Sequence, residues 1–264
     1  MHLCPTPLNE IEIWAHRGGG LIPEEVHDIE RNTLQSFKFS LDLGVDGFET
    51  DICLTKDNEP IIYHPGTIQP DPCSESWTAI QWHQPNIMHL KDLLIFLATN
   101  DSISCLLEIK QNSNLLIEKV VAEISSAGLC KRIFLTAPSQ QMSLAGLETD
   151  GNLLKYAKSI DPQIGIHVID ILPFNILKTV KEFRANIVSF GWLNDSWISR
   201  AVFSGFFQHL MERQCWKANQ AKIKVLAGIT ETDDHIEALL KASDGFLNGV
   251  ITDDPEGAVK FLRM

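Results

Sequence analysis

Three carboxylates lie inside short apolar segments of the chain, where charged residues are unusual: Glu49, Asp51 and Glu108. Glu49 and Asp51 are two residues apart, so a β-strand would place both on one face. Carboxylates that share a buried face repel one another and are costly to bury unless a cation compensates their charge. Ligands that are all oxygen suit a hard divalent cation, Mg²⁺ or Ca²⁺ with Mn²⁺ as a further candidate, rather than zinc. The same spacing also fits salt bridges at the ends of surface strands.

Two histidines, His16 and His64, end apolar segments on either side of the first two carboxylates. A neutral imidazole has a pKa of about 6.5, so it can take or give a proton near neutral pH. Two such groups on opposite sides of a phosphorus atom could serve as base and acid. Arg17 and Lys110 are neighbouring cations of the kind that bind phosphate oxygens. For each of these four residues, a structural hydrogen bond or salt bridge is the alternative interpretation.

The rest of the chain supplies regular elements that would position these side chains. Short apolar segments alternate with segments whose apolar residues have helical spacing. The predicted strands are 11–15, 47–55, 104–110, 132–136, 164–169, 186–190, 224–229 and 249–252. The predicted helices are 32–43, 90–99, 115–127, 152–159, 174–183, a stretch within 197–221, 234–241 and 255–262. A short strand at 60–64 is predicted to form a hairpin with the second strand, and 65–86 a long loop.

Strands that alternate with helices predict a parallel sheet of the α/β class. Eight such units in 264 residues predict a closed (β/α)8 TIM barrel with a small insertion after the second strand. An open doubly wound sheet is the alternative. Active sites of barrels lie at the C-terminal ends of the strands, which is where the candidate residues stand. Because no linker or low-complexity segment divides the chain, we predict a single domain over 1–264.

The composition is that of a globular protein with an acidic balance. The chain has 22 Lys and Arg residues against 34 Asp and Glu, a net charge of -12, which argues against general nucleic-acid binding. A bound cation can still make an anionic substrate acceptable. The six cysteines include no C-x-x-C pair, and neither a secretory leader nor a membrane-spanning apolar segment is recognisable. The sequence therefore predicts a soluble cytoplasmic protein with reduced thiols, and leaves its oligomeric state open.

Five segments together carry a resemblance that runs across the whole chain. They read WAHRGGG, ERNTLQSF, GVDGFETDICLTKDNEPIIYH, LLEIK and GVITDDP. In this order they resemble the glycerophosphodiester phosphodiesterase family. The resemblance implies a (β/α)8 barrel enzyme, a phosphoric diester hydrolase of glycerol and lipid metabolism. Such an enzyme uses a divalent cation to convert a small-molecule glycerophosphodiester into glycerol phosphate and an alcohol.

The matching motifs also imply roles for individual residues. His16 and His64 correspond to the acid/base pair of the family, and Arg17 to its phosphate contact. The implied metal ligands are Glu49, Asp51 and Glu108. The sequence does not decide which histidine is the acid, or whether water or a substrate hydroxyl attacks the phosphorus. A lysophospholipase D with the same catalytic set and a non-catalytic barrel that binds phosphoesters are the alternative functions.

Two departures from the family pattern concern the histidines. The family usually has Pro-Glu-Asn-Thr before the first helix, whereas residues 30–33 read ERNT. The partner of His16 is therefore expected to be Glu30 or Glu24. A proline follows His64 where the family usually has Asp, so an orienting hydrogen bond is expected to be missing there.

A third departure concerns the substrate pocket. The seventh strand of the family usually ends in Trp-Thr, whereas residues 227–230 read AGIT. The loop 65–86 carries Trp77 and Trp82, and one of them could wall the pocket for the alcohol group in place of the missing aromatic ring. The alternative is that both side chains only anchor the loop.

Overall fold

The computed structural model describes residues 6–19, 30–140, 142–144, 147–170, 175–191 and 208–263. The strands are β1 Glu12–Ala15, β2 Gly47–Leu54, β3 Pro60–Ile62, β4 Met88–His89, β5 Ser104–Ile109, β6 Ile133–Pro138, β7 Met142–Leu144, β8 Leu147–Thr149, β9 Gly165–Ile169, β10 Ile187–Gly191, β11 Lys224–Thr230 and β12 Gly249–Thr252. The helices are α1 Leu34–Leu43, α2 Trp77–His83, α3 Leu90–Thr99, α4 Asn114–Ser126, α5 Asn152–Ile160, α6 Ile176–Phe183, α7 Gln208–Gln220, α8 Asp233–Ala242 and α9 Pro255–Arg263.

Eight parallel strands form a closed barrel. They pair in the order β1-β12-β11-β10-β9-β6-β5-β2, and β1 also pairs with β2, which closes the ring. Helices alternate with these strands along the chain, so the predicted (β/α)8 barrel is confirmed. The register places Asp51 of β2 opposite Glu108 of β5. The pairing of β2 with β5 therefore brings the carboxylates singled out in the sequence to one end of adjacent strands.

Local sequence signals account for the helix that follows the first strand. The Thr33 side chain accepts a hydrogen bond from the Ser36 backbone N–H, and the Ser36 side chain accepts one from the Thr33 N–H. This reciprocal pair satisfies N–H groups that have no partner within the helix. The helix α1 ends at Gly44, whose φ of 85° lies in the left-handed region that favours glycine.

Two apolar regions hold the barrel together. Between the strands and the helices, the rings of Phe37 and Phe48 are stacked with centroids 4.2 Å apart, and Phe96 packs against both. Inside the barrel, one apolar layer is formed by inward-facing side chains from five strands: Trp14, Leu106, Ile187, Leu226 and Ile251. This layer fills the interior below the C-terminal end, as expected for a barrel of eight strands.

The insertion after the second strand is more regular than the sequence predicted. Strand β3 pairs antiparallel with β2, as expected, and β4 adds a further antiparallel strand. The segment 65–86 is not simply a loop, because it contains α2, whose first turn is capped by Ser76. The antiparallel pair β7–β8 was also not predicted. The part of the predicted helix within 197–221 that precedes Gln208 lies outside the described residues.

The expectation of reduced thiols is wrong for one pair of cysteines. Cys53 of β2 and Cys73 of the insertion form a disulfide. Their Cα atoms are 6.6 Å apart, within the range that a disulfide spans. Cys105, Cys130 and Cys215 are free. In the part of the chain that the structure describes, no helix combines the length and the apolar character needed to cross a membrane.

Candidate active site

A polar layer lies directly above the apolar layer inside the barrel. Successive inward positions on a strand are two residues apart. Phe134 of β6 packs against the apolar layer. Two residues after Phe134 and after each residue of the layer, the inward positions are occupied by His16, Glu108, Thr136, Ser189, Gly228 and Asp253. All of these line one cavity of about 290 Å³ at the C-terminal end of the strands. The inward-facing side chains thus change from apolar to polar within two residues along each strand, and the apolar layer forms the floor of the candidate site.

The three carboxylates predicted as ligands meet at one edge of this cavity. Glu49, Asp51 and Glu108 each offer one oxygen, and these oxygens lie within 4.8 Å of one another. Glu49 is 4% exposed and Asp51 is 1% exposed. Among the described residues, the Oε1 atom of Glu49 is buried without a hydrogen-bond partner, and the Oδ1 atom of Asp51 is buried with only the ion pair to Lys110 Nζ, at 3.1 Å. Buried carboxylate oxygens left in this way fit a hard divalent cation.

The surroundings of the cluster shift the pKa values of its two buried carboxyl groups, Glu49 and Asp51, in opposite directions. Burial raises the pKa of Glu49 well above its ordinary value, and Asp51 and Glu108 raise it further. Burial alone would also raise the pKa of Asp51, but Lys110, His64 and Arg17 hold it below its ordinary value. The cluster therefore contains one carboxyl group that favours its ionised form and one that needs additional positive charge to ionise.

Lys110 supplies part of that positive charge. Its Nζ donates a hydrogen bond of 2.6 Å to Glu108 Oε1 and lies 3.1 Å from Asp51 Oδ1. Burial lowers the pKa of Lys110, but Glu108, Asp51 and Glu49 together raise it above its ordinary value. The ammonium group predicted to bind phosphate is thus engaged with two of the carboxylates.

Arg17 lies on the other side of the cluster in a left-handed conformation, with φ 54°. Its backbone N–H donates to Glu49 Oε2 at 3.0 Å, and its Nε lies 3.6 Å from Asp51 Oδ2. Asn32 supports this arrangement, because its Nδ2 donates to Asp51 Oδ2 and its backbone N–H donates to Arg17 O. The sequence analysis gave Asn32 no role in the site, although it lies within the ERNTLQSF motif.

His16 has a carboxylate partner that the sequence analysis did not identify. Its Nδ1 lies 2.8 Å from Asp253 Oδ1, and its Nε2 lies 3.7 Å from Glu49 Oε2. The expectation that Glu30 holds His16 is wrong: Glu30 Oε2 accepts a hydrogen bond from Asn86. The other candidate, Glu24, lies outside the described residues. Burial alone would raise the pKa of Asp253, but the hydrogen bond with His16 and nearby Arg31 lower it.

His64 also has an orienting contact, contrary to expectation. Its Nδ1 lies 3.1 Å from the backbone carbonyl oxygen of Pro65, the residue that replaces the expected acid. Burial lowers the pKa of His64, and Arg17 and Lys110 lower it further, while Asp51 opposes them. His64 lines a cleft of about 220 Å³ on the outer side of the cluster, whereas His16 lines the inner cavity. The two histidines therefore face different spaces beside the carboxylates.

Neither Trp77 nor Trp82, the two residues predicted to wall the alcohol-group pocket, lines the inner cavity. Trp77 packs against the buried cluster around Ile80, and its ring meets His89 edge-on. Trp82 is 83% exposed. At this end of β11 the cavity is lined by Ile229, which belongs to the strand, and by Glu231, which follows it. The position of Trp77 agrees with the alternative interpretation, in which its side chain anchors the insertion.

The fold and the site together define a (β/α)8 barrel whose carboxylate cluster is flanked by two histidines. Residues 16–72 match the Glycerophosphoryl diester phosphodiesterase family, and they include five of the seven predicted site residues. This match confirms the resemblance drawn from the motifs over that part of the chain. None of the curated proteins matches the chain significantly.

Solved structures with the same fold include several phosphodiesterases. A glycerophosphodiester phosphodiesterase from Parabacteroides distasonis is 16% identical, with a TM-score of 0.72 over 96% of this chain and 97% of that one. One from Thermotoga maritima is 15% identical, with a TM-score of 0.67 over 98% and 99%. A phosphodiesterase from Oleispira antarctica, in complex with the product sn-glycerol-3-phosphate, is 17% identical, with a TM-score of 0.65 over 96% and 97%. At these sequence identities the structural similarity is evidence for the fold alone.

Proposed function

We propose that the protein hydrolyses glycerophosphodiesters to glycerol phosphate and an alcohol, with one divalent cation and with His16 and His64 as the acid/base pair. The observation that carries this proposal is the buried carboxylate cluster between two histidines that face separate spaces. Displacement at phosphorus needs a base beside the attacking oxygen and an acid beside the leaving oxygen, and the two histidines would supply these groups from the two spaces. The family match and the relative that holds sn-glycerol-3-phosphate agree with this substrate class.

The donor set suits Mg²⁺, Ca²⁺ or Mn²⁺, because Glu49, Asp51 and Glu108 offer oxygen atoms and the site contains no sulfur ligand among the described residues. When bound, such a cation polarises a phosphoryl oxygen and neutralises the charge that develops on it. Two further groups would assist: the Arg17 guanidinium, whose Nε has no hydrogen-bond partner among the described residues, and the Lys110 ammonium. We propose that both contact the phosphoryl oxygens of the bound diester.

The histidines would move the protons. Asp253 accepts from His16 Nδ1, which leaves Nε2 directed towards Glu49 and the inner cavity. The Pro65 carbonyl accepts from His64 Nδ1, which leaves its Nε2 for the substrate. One imidazole takes a proton from the attacking oxygen and the other gives one to the leaving alkoxide.

A turnover panel tests the proposal. Phosphomonoester release is measured from several glycerophosphodiesters with Mg²⁺, Ca²⁺, Mn²⁺ or a chelator. We expect turnover that chelation abolishes, and a higher metal concentration for half-maximal activity in Glu108→Gln. Glu182→Gln, on the exposed Lys155–Glu182 pair, is the matched control and should behave as wild type. Full activity after exhaustive chelation would exclude the metal role.

The panel extended with lysophospholipids, together with a measurement of phosphoester binding, separates the alternative functions. Turnover of lysophospholipids alone would indicate a lysophospholipase D, and phosphoester binding without turnover would indicate a non-catalytic barrel. A cytoplasmic location stays a prediction of the sequence. The Cys53–Cys73 disulfide is more typical of proteins in oxidising compartments.

A further inference from the structure

Three polar side chains on the wall opposite the carboxylates form a continuous hydrogen-bonded chain that the proposed reaction does not use. Thr136 of β6 lies 3.0 Å from His167 Nδ1, and His167 Nε2 lies 2.8 Å from Ser189 Oγ of β10. His167 is 1% exposed and Ser189 is 3% exposed, yet both line the inner cavity. A buried polar chain on a cavity wall is a specific feature, because each of its members needs a partner.

We assign the direction of the hydrogen bonds from the Thr136 hydroxyl, whose single hydrogen can reach the Phe134 carbonyl. It donates to the Phe134 carbonyl at 3.1 Å, so its oxygen is left to accept from His167 Nδ1. The His167 Nε2 atom then carries no hydrogen and accepts from the Ser189 hydroxyl. Burial lowers the pKa of His167 to about 3, which keeps the ring neutral and agrees with this assignment. All polar hydrogens of the chain are thus donated within it or to the backbone, and the wall offers only lone pairs.

This polarity restricts what the wall can bind. A phosphoryl oxygen needs donors, so the phosphate belongs at the cation site and not here. A serine nucleophile needs a base, and a buried neutral histidine without a carboxylate partner is a poor one. An ammonium group would favour the carboxylates that line other parts of the cavity, such as Glu231 and Asp253. A neutral acceptor suits a hydroxyl group.

We propose that Ser189, oriented by His167 and Thr136, accepts a hydrogen bond from a hydroxyl on the ester group that occupies the inner cavity. The protein would thereby select a hydroxylated ester group over the corresponding deoxy group. The inference rests on the proposed function, because it takes the phosphodiester to lie across the carboxylate cluster with one substituent on the His16 side.

Matched substrate pairs test this inference. One pair differs on the glycerol side, with a glycerol or a propane-1,2-diol ester. The other pair differs on the alcohol side, with a 2-hydroxyethyl or an ethyl ester. We expect Ser189→Ala to lower kcat/KM roughly 5–100-fold for the hydroxylated member of one pair, because a buried hydroxyl loses its acceptor, and to leave the deoxy member almost unchanged. The pair that responds identifies the group in the inner cavity.

Control variants exclude a merely structural effect. Ser125→Ala removes a hydroxyl that donates to Asp161, away from the cavity, and should affect both members of each pair equally or not at all. Thr136→Val, which removes the acceptor for His167 while keeping the side-chain shape, should lower selectivity in the same direction as Ser189→Ala. Thermal unfolding verifies that each variant is folded. Equal losses on hydroxylated and deoxy substrates in Ser189→Ala would overturn the inference.

A binding measurement separates this inference from the proposed function. If wild type turns over no diester, the proposed function fails. Calorimetry with glycerol 3-phosphate and its deoxy analogue in the presence of Ca²⁺ still tests whether Ser189 accepts a hydrogen bond from a ligand hydroxyl. Weaker binding of glycerol 3-phosphate, but not of the analogue, to Ser189→Ala would then support it. Identical binding of glycerol 3-phosphate by wild type and Ser189→Ala, with no substrate pair responding, would refute it.

Discussion

The hydrogen bond between His16 and Asp253 gives the two nitrogens of the imidazole different tasks. Asp253 lies 2.8 Å from Nδ1, so Nδ1 carries the hydrogen and Nε2 is the atom available to the substrate. The aspartate also stabilises the imidazolium that forms if His16 takes a proton. It is therefore a positioning residue, which acts through the histidine rather than on the phosphoryl group.

Replacement of Asp253 by Asn should weaken this support. An amide can donate to Nδ1 as well as accept, which favours the wrong tautomer and removes the negative charge. We expect Asp253→Asn to lower kcat roughly 10–100-fold with little change in KM, less than the roughly 10²–10⁴-fold loss expected for His16→Ala. Steady-state kinetics over a pH series measures both parameters. The pH profile should change in Asp253→Asn, since its carboxylate is the charge that faces Nδ1.

Glu30→Gln is the matched control for that experiment. It makes the same acid-to-amide change at the position that the sequence favoured, but Glu30 is bonded to Asn86 and not to His16. We expect wild-type kinetics in this variant. A large loss in Glu30→Gln together with a wild-type rate in Asp253→Asn would reverse the assignment.

At the scale of elements, the insertion between β2 and α3 determines where His64 stands. The Tyr63 hydroxyl accepts hydrogen bonds from the backbone N–H groups of Thr67 and Ile68, so the chain turns sharply after His64. The Cys53–Cys73 disulfide fastens this insertion to the strand that carries Glu49 and Asp51. The outer histidine and two of the carboxylates are thus held by one covalently linked unit.

Breaking the disulfide should lower the stability of the protein. The cross-link closes a loop with a sequence separation of 20 residues, which corresponds to about 3 kcal/mol in the chain-entropy model. We expect Cys73→Ser, or wild type with reductant, to lose about that much free energy of unfolding in urea titrations. Cys130→Ser replaces a free, half-buried cysteine and is the control: it keeps the disulfide, so its stability without reductant should stay close to wild type and it should lose about the same free energy when reductant is added. An unchanged midpoint of wild type under reductant would show that the pair is not bonded in solution.

The elements that the sequence predicted well are those with a strong period. The helix 90–99 and the strand 249–252 were predicted with their observed bounds, and the inward pair Glu49 and Asp51 follows from the two-residue period of a strand. Helix α2 was missed because it is only seven residues long and mixes tryptophans with polar residues. Such a short helix depends on packing against β3 and on its Ser76 cap, which a local pattern does not reveal.

At the scale of the whole molecule, closure of the barrel determines the contacts that the sequence could not give. His16 follows the first strand and Asp253 follows the last, 237 residues away along the chain. They meet only because β1 pairs with β12, with Ala15 opposite Thr252. The Thr136–His167–Ser189 chain depends instead on the register of three neighbouring strands, β6, β9 and β10. Local spacing found the carboxylates on neighbouring strands, but partners brought together by closure need the three-dimensional structure.

The buried chain across those strands also has a consequence for stability against acid. Burial lowers the pKa of His167 to about 3, whereas a histidine in an unfolded chain has a pKa of about 6.5. Above pH 6.5 the ring is neutral in both states and its contribution is fully present. As the pH falls below about 6.5, the unfolded chain binds a proton that the folded protein does not, so stability is lost. At pH 5 the loss amounts to about 2 kcal/mol.

Comparison of wild type with His167→Gln isolates this contribution. The other titratable groups that line the same cavity are Glu49, Glu108, Asp253, His16 and Glu231, and they are common to both proteins, so their effects cancel in the difference. We expect His167→Gln to be less stable at pH 7, because it loses ring packing and hydrogen bonds, but to lose about 2 kcal/mol less than wild type between pH 7 and pH 5, as measured by urea unfolding. His209→Gln changes an exposed histidine and should decline in parallel with wild type. If His167→Gln also declined in parallel with wild type, the ring would not be held neutral in the folded protein.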